Sequence, residues 1–306
     1  MPDGREPRIR GRGHPLPFSK GRMATTLFLA GFEPERSYAI ARAVERAISE
    51  LPTEEMTLEE LYMVLEEVLE REEGERMVAR FRAWQRVLNL DRPLIILIGG
   101  GTGTGKSSLA TEVAYRLGIS RITSTDVVRQ VMRAFFAPAL MPALHYSSFE
   151  AGEGLRIPMP DPDEGDRALF GFIQQAEQVA VGAAAVVDRA IVEGLSTVVE
   201  GVHLVPGLIA PEQQPNATIV QVMLAIEDEE AHQSHFVARD RIAGGARALD
   251  RYLKRFGDIR RIQDYLVARA ERLGVPVIDA SDGDAALRVL LDLILERASV
   301  QPDAVP

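Results

Sequence analysis

Eight consecutive residues carry the clearest chemistry in the chain. Gly100-Gly101-Thr102-Gly103-Thr104-Gly105-Lys106-Ser107 fits G-x-x-x-x-G-K-[ST]. Glycines let backbone N–H groups wrap an anion without Cβ clashes, and a helix opening at Ser107 aims its positive end at the same anion. Lys106 reaches the β- and γ-phosphates, and the Ser107 hydroxyl ligates Mg²⁺. Gly101, Thr102, Gly103, Thr104, Gly105, Lys106, Ser107 and Ser108 are therefore the expected nucleotide cradle, with Lys106 also catalytic. Motors, GTPases and small-molecule kinases all use such a loop, so it fixes phosphate binding and leaves the reaction open.

Other residues narrow the choice. In ITSTDVVRQVMR (122–133), Asp126 ends a short strand and is followed by Arg129 and Arg133 on one helix face. The pattern fits a base or Mg²⁺-linked carboxylate beside two anion-binding cations, and equally an N-cap with ordinary helix ion pairs. STVVEGVHLVPG (196–207) puts Glu200 at a strand end, where phosphate-loop proteins place a second acidic group for metal or water. His203 in that loop either touches substrate or is structural. Residues 239–261 hold seven Arg and one Lys against three Asp, a local +5. Such a cluster reads as a lid whose arginines spread phosphoryl charge and exclude water. Arg239 and Arg241 are its catalytic candidates, Arg247 would face the nucleotide and Arg251 the acceptor, with Gly244-Gly245 as a bend. His232 and His235 lack a further metal ligand and read as part of a surface helix.

The elements that must position these groups follow from periodicity. LIILIG (94–99) is a branched apolar run, as in a strand buried on both faces. Strands near Ile122, at 196–200, 217–226 and 275–280 alternate with helices at about 107–117, 127–136 and 167–193, which implies a mainly parallel sheet covered on both faces. Residues 137–166, with five prolines, read as loop. Before the Asp91-Arg92-Pro93 break, helical spacing runs through 30–51, 58–74 and about 75–88. Thr57 and Glu60 form a capping box there. Segment 51–80 carries ten Glu and three Arg, the pattern of a solvated acidic face.

Composition sets the outer limits. The 306 residues are 46% hydrophobic and 26% charged, ordinary for a globular chain of about two domains. The net charge of −10 argues against nucleic acid or anionic membrane as a partner held by bulk electrostatics. Without cysteine there are no disulfides or thiol nucleophiles, which fits a cytoplasmic setting. No apolar run approaches a membrane span, and the Arg-, Gly- and Pro-rich start is unlike a secretory signal. Only Lys20, Lys106 and Lys254 are lysines, which makes Lys106 in the loop less of a coincidence.

IGGGTGTGKSSLATEVAYRLGI, ITSTDVVRQVMR, YSSFEAG, GFIQQAEQVAVGAAAVVDRAIVEGLSTVVEGVHLVPG and IRRIQDYL together resemble the 2-phosphoglycerate kinase family over about residues 92–297. The start of the chain, with PFSKGRMATTLFLAGF and its helices, is similar to the ATP-cone domain found ahead of such kinases. The resemblance implies an α/β P-loop NTPase three-layer sandwich with a helical lid (91–298). A small all-helical ATP-cone-like domain (1–90) would precede it, and a disordered tail (299–306) would follow. It implies phosphorylation of the 3-hydroxyl of 2-phosphoglycerate by ATP with Mg²⁺, giving 2,3-bisphosphoglycerate. Arg129, Arg133, Ser147, Ser148, His203 and Arg251 would meet the small acidic phosphorylated substrate. Asp126 would serve as base or metal ligand, and Ser107 and Glu200 would hold the metal. A homo-oligomer is compatible with this reading. The rivals are a kinase of the same fold for a nucleoside or sugar, and a nucleotide-sensing regulatory protein.

Overall fold

The structure, a computed structural model, describes residues 8–10, 14–155, 164–209, 216–242 and 249–300. The chain divides into two compact units, Met1–Asn89 and Leu90–Pro306.

In the first unit, β1 (Arg8–Arg10) lies between β2 (Leu16–Pro17), which is antiparallel to it, and β3 (Glu55–Thr57), which is parallel. Four helices accompany this sheet: α1 (Lys20–Leu29), α2 (Pro34–Ser49), α3 (Leu58–Glu73) and α4 (Glu75–Leu88). The expected all-helical module thus carries a small sheet and one helix more than its periodicity gave. Strands of two or three residues are too short for their alternation to stand out in the sequence, and their pairing is fixed by a partner 47 positions away. The capping box at Thr57 forms as its residues dictate: Glu60 N–H donates to Thr57 Oγ1 at 3.1 Å, and Thr57 N–H donates to Glu60 Oε2 at 2.7 Å. The apolar stripes of the helices meet in a core that includes Leu27, Ile40, Val44, Leu65, Phe81 and Trp84.

The second unit is built on β4 (Leu94–Gly100), buried along its whole length. After it come α5 (Lys106–Arg116), β5 (Ile122–Ser124), α6 (Thr125–Phe135), α7 (Glu164–Val192), β6 (Thr197–Glu200) and β7 (Thr218–Ala225). α8 (Glu229–Ile242), α9 (Leu249–Lys254), α10 (Phe256–Arg272), β8 (Val277–Asp279) and α11 (Gly283–Val300) complete the unit. The five strands are all parallel in the order β5-β6-β4-β7-β8. α5 and α11 pack together against one face, and α7 and α10 against the other. This is the expected three-layer α/β sandwich, a parallel sheet covered by helices on both faces. Continuous runs of Ile, Leu and Val in β4 and β7 suit a sheet covered on both sides. Truncating one such residue, for example Leu97, costs about 2–5 kcal/mol.

Three local expectations change. Asp126 is not at a strand end but in the first turn of α6, whose N-cap is Ser124; the Ser124 hydroxyl accepts the Asp126 N–H at 3.2 Å. Residues 137–155 are not plain loop: two 3₁₀ segments, Pro142–His145 and Ser148–Gly154, pack on α7. Proline at the start of the first and small residues through the second suit such short turns. At the C-terminus, residues 299 and 300 belong to α11 rather than to a tail, and 301–306 lie outside the described residues. Among the described residues no helix is long and apolar enough to cross a membrane.

Candidate active site

Parallel strands end together, and ligands of such sheets bind in the crevice beyond the strand ends. Register puts Ile98 of β4 beside Glu200 of β6, and Glu200 beside Ser124 of β5. The loop after β4, the acidic end of β6 and the start of α6 therefore share one crevice.

The loop folds on itself first. Thr104 Oγ1 donates to Gly101 O at 3.0 Å, and Lys106 Nζ donates to the same carbonyl at 2.5 Å. Thr104 and Lys106 are both buried. α5 opens at Gly105 with no side-chain cap, so its first amides are left for an anion. Ser107 Oγ donates to Glu200 Oε1 at 3.1 Å, joining the two residues expected at the metal. A hydroxyl and a carboxylate side by side are hard oxygen donors, the set Mg²⁺ takes when phosphates complete its shell. Among the described residues no group of three His, Asp or Glu side chains forms a metal site by itself. Ser108 is exposed on the first turn of α5. The uncapped amides, Lys106 and the Ser107–Glu200 pair thus fit a magnesium-bound nucleoside triphosphate.

α8 and α10 brace this loop from behind. His232 Nε2 lies 2.8 Å from Thr102 O and His235 Nδ1 3.1 Å from Gly103 O. Phe236 covers Gly103, at φ +92°, so closely that a Cβ there would overlap its ring. Gln263 of α10 lies against Gly101 and bonds both Ile226 N–H and Ile226 O. The sequence placed His232 on a surface helix; it is fully buried. The available signal was the 232/235/236 spacing, which puts two imidazoles and an aromatic ring on one helix face.

The opposite side of the crevice rests on side chains. Gln175, deep in α7, donates through Nε2 to Ala143 O at 2.5 Å and Tyr146 O at 3.0 Å. Its Oε1 must then accept from His203 Nε2–H, 3.0 Å away. That leaves His203 Nδ1 to accept the Thr125 hydroxyl at 2.9 Å. His203 is consequently a neutral, fully buried ring, and this corrects its expected contact with substrate. Burial pushes its pKa down to about 4, with Arg129 and Lys106 acting in the same direction and Asp126 opposing them. Gly201, at φ +148°, leaves room for the Thr125 side chain, which a Cβ would strike.

Arg129 is also buried and committed. Its Nη1 donates to Leu144 O at 3.0 Å and Tyr146 O at 2.9 Å, and Nε and Nη2 reach Asp126 Oδ1 at 3.4 Å. It therefore fixes the 3₁₀ segments and the Asp126 carboxylate, rather than standing open to a ligand. Asp126 itself is 65% exposed. Arg133 is exposed and bonds only Gln130 Oε1, at 3.3 Å, among the contacts described.

Ser148 is buried and meets Thr102 of the loop, Oγ to Oγ1, at 3.4 Å. Ser147 donates to Glu150 Oε2 at 2.6 Å. Arg251, at the surface of α9, donates through Nε to Glu150 Oε1 at 2.7 Å and lies over the Phe149 ring. Hydrogen bonding from Arg251 holds the Glu150 carboxyl below the usual range. Arg255 pairs with Glu153 at 2.6 Å in the same way. Arg239 and Arg241 are in α8, but their side chains lie outside the described residues, as do Arg247 and Gly244-Gly245.

No protein-family model matches the chain. Curated relatives do. A 2-phosphoglycerate kinase of Methanopyrus kandleri is 40% identical over 287 residues, 94% of this chain and 86% of that protein. One from Methanothermobacter thermautotrophicus is 39% identical, covering 90% of this chain and 89% of that one. A third, from Methanocaldococcus jannaschii, is 36% identical, covering 94% and 91%. With identity at this level along nearly the full length of both partners, the chain belongs to the 2-phosphoglycerate kinase family.

Proposed function

We infer that the protein is a small-molecule kinase that moves the γ-phosphoryl group of ATP to the 3-hydroxyl of 2-phosphoglycerate, giving ADP and 2,3-bisphosphoglycerate. The observation that carries this reading is the Thr102–Ser148 contact. In a chain of this family, it sets the loop that would hold the donor phosphates against the segment that would hold the acceptor.

Lys106 and the first amides of α5 would bind the β- and γ-phosphates and neutralise charge that builds up during transfer. Ser107 and Glu200 would hold Mg²⁺, with Asp126 as a further carboxylate. A bound Mg²⁺ supplies charge neutralisation and alignment of phosphate oxygens. Asp126, exposed and steadied by Arg129, is placed to accept the proton of the attacking hydroxyl. Arg133 and Arg251 are the cations that would draw the phosphate and carboxylate of the acceptor, and Ser147 would add a hydroxyl once Glu150 releases it. Arg239, Arg241 and Arg247 would close over the transferring group as a lid.

The N-terminal unit would act as an ATP-cone-like module. Its own core and the cations Arg8, Arg10, Lys20 and Arg22 near its start support that role. A cysteine-free chain suits a cytoplasmic setting.

An acceptor panel tests the reading. With MgATP present, 2-phosphoglycerate should release ADP well above the acceptor-free rate, while glycerate, nucleosides and hexoses should not. Faster turnover with a nucleoside or sugar would overturn the substrate and keep the fold; no acceleration by any acceptor would favour a nucleotide sensor.

A further inference from the structure

We propose that His232 and His235 are positioning residues of the nucleotide cradle: by holding the carbonyls of Thr102 and Gly103 outward, they aim the next two amide N–H groups at the triphosphate. The proposal rests on the cradle reading above and extends it to two side chains that would touch neither nucleotide nor acceptor.

Peptide geometry ties each carbonyl to the amide that follows it. In a trans peptide the C=O and the following N–H point in opposite directions, and the chain has no cis bond among the described residues. A partner that fixes the Thr102 carbonyl therefore fixes the Gly103 N–H, and one that fixes the Gly103 carbonyl fixes the Thr104 N–H. Both carbonyls have such partners on α8, at 2.8 Å and 3.1 Å. Gly103 is where this control is most needed, because its positive φ gives the peptide planes freedom that other residues lack.

The imidazole of His232 is itself set. Its Nδ1 faces Arg260 Nη1 at 3.4 Å, and a guanidinium can only donate. Nδ1 must then be bare, so the proton sits on Nε2, the nitrogen that faces Thr102 O. Arg260 is anchored in turn on the carbonyls of Ile226 and Glu227 at the end of β7. Burial favours the neutral ring, pushing the His232 pKa down. Packing completes the brace: the Phe236 ring stacks on His232 at 5.5 Å and on Tyr252 of α9 at 5.0 Å, and Phe256 closes edge-on. The helix that carries Arg239 and Arg241 is thus bonded at its other end to the cradle.

MgATP calorimetry together with steady-state kinetics on the full-length protein tests this. His232→Ala should weaken MgATP binding about tenfold, the worth of one well-placed hydrogen bond, and leave the KM for 2-phosphoglycerate unchanged. His232→Gln, which keeps an N–H donor, should recover most of the loss. Wild-type MgATP affinity in the Ala variant overturns the proposal. So does equal loss for both substrates, or a Gln variant no better than Ala. Should His232→Ala not fold, His235→Ala decides, because that side chain is only half-buried: about a threefold rise in the MgATP Kd supports the proposal, and an unchanged Kd overturns it. A wild-type protein that takes up no MgATP would defeat the cradle reading, and the proposal with it.

Discussion

The two sides of the crevice are made of different material. The side proposed to hold the donor is backbone: uncapped amides at the start of α5 and a glycine-rich loop held down by Thr104, Lys106 and the helices behind it. The side proposed to hold the acceptor is a relay of side chains, in which Gln175, His203, Thr125 and Arg129 hold two short 3₁₀ segments in place. A backbone site is specified within a few consecutive residues and tolerates change only where a Cβ fits. A relay is specified by residues 15 to 78 positions apart, and each member matters because the others are left buried and unpaired without it.

That contrast is open to attack by mutation, and the largest effect belongs to the donor side. Lys106→Ala should lower kcat/KM about a thousandfold while costing only about 1 kcal/mol of stability, the worth of its bond to Gly101 O. A stability loss matching the activity loss would blur the distinction between the sides. Asp126→Asn should come next, cutting kcat about a hundredfold or more while calorimetry shows MgATP affinity preserved. A collapse of MgATP affinity would move Asp126 from the acceptor side to the metal.

Gln175→Leu probes the relay. It removes the donor to Ala143 O and strands the His203 Nε2–H, so denaturant unfolding should show about 2–4 kcal/mol lost. The KM for the acceptor should rise about tenfold and that for ATP should stay within about twofold, because the donor loop does not stand on this relay. Equal damage to both constants would mean that the two sides are one structure.

The smallest effect is a pH dependence. The His203 pKa is lowered from 6.5 to about 4 in the fold, so in that window the unfolded chain binds a proton that the folded chain refuses. Its contribution to stability is complete above pH 6.5 and fades as the pH falls towards 4, by up to about 1.4 kcal/mol per unit. Urea unfolding at pH 7 and pH 5 should show a steeper loss for the wild type than for His203→Gln. Parallel losses would show that His203 is not the group responsible.

The same contrast explains what the sequence disclosed. The phosphate loop, its flanking strand and helix, the capping box at Thr57 and the parallel sheet rest on local spacing and on runs of branched apolar residues, and all were legible. Glu200 was readable from its place at a strand end, and its bond to Ser107 needed only the β4–β6 register. Arg129 reads in the sequence as a ligand cation and His203 as either a substrate contact or a structural group, whereas the fold commits Arg129 to the carbonyls of Leu144 and Tyr146 and His203 to Gln175 and Thr125. Their partners, Gln175 in a long helix and the carbonyls of 143–146, leave no pattern in the chain. His232 and the small N-terminal sheet were missed for the same reason: each is defined by what folds against it.

The account stands or falls on whether the two sides serve one transfer. ³¹P NMR of the protein with MgATP and 2-phosphoglycerate tests this directly. The prediction is loss of the γ-phosphate signal matched one for one by ADP and by a second phosphomonoester on carbon 3, all abolished by Lys106→Ala. Intact ATP, or ADP accompanied only by free inorganic phosphate, would contradict it.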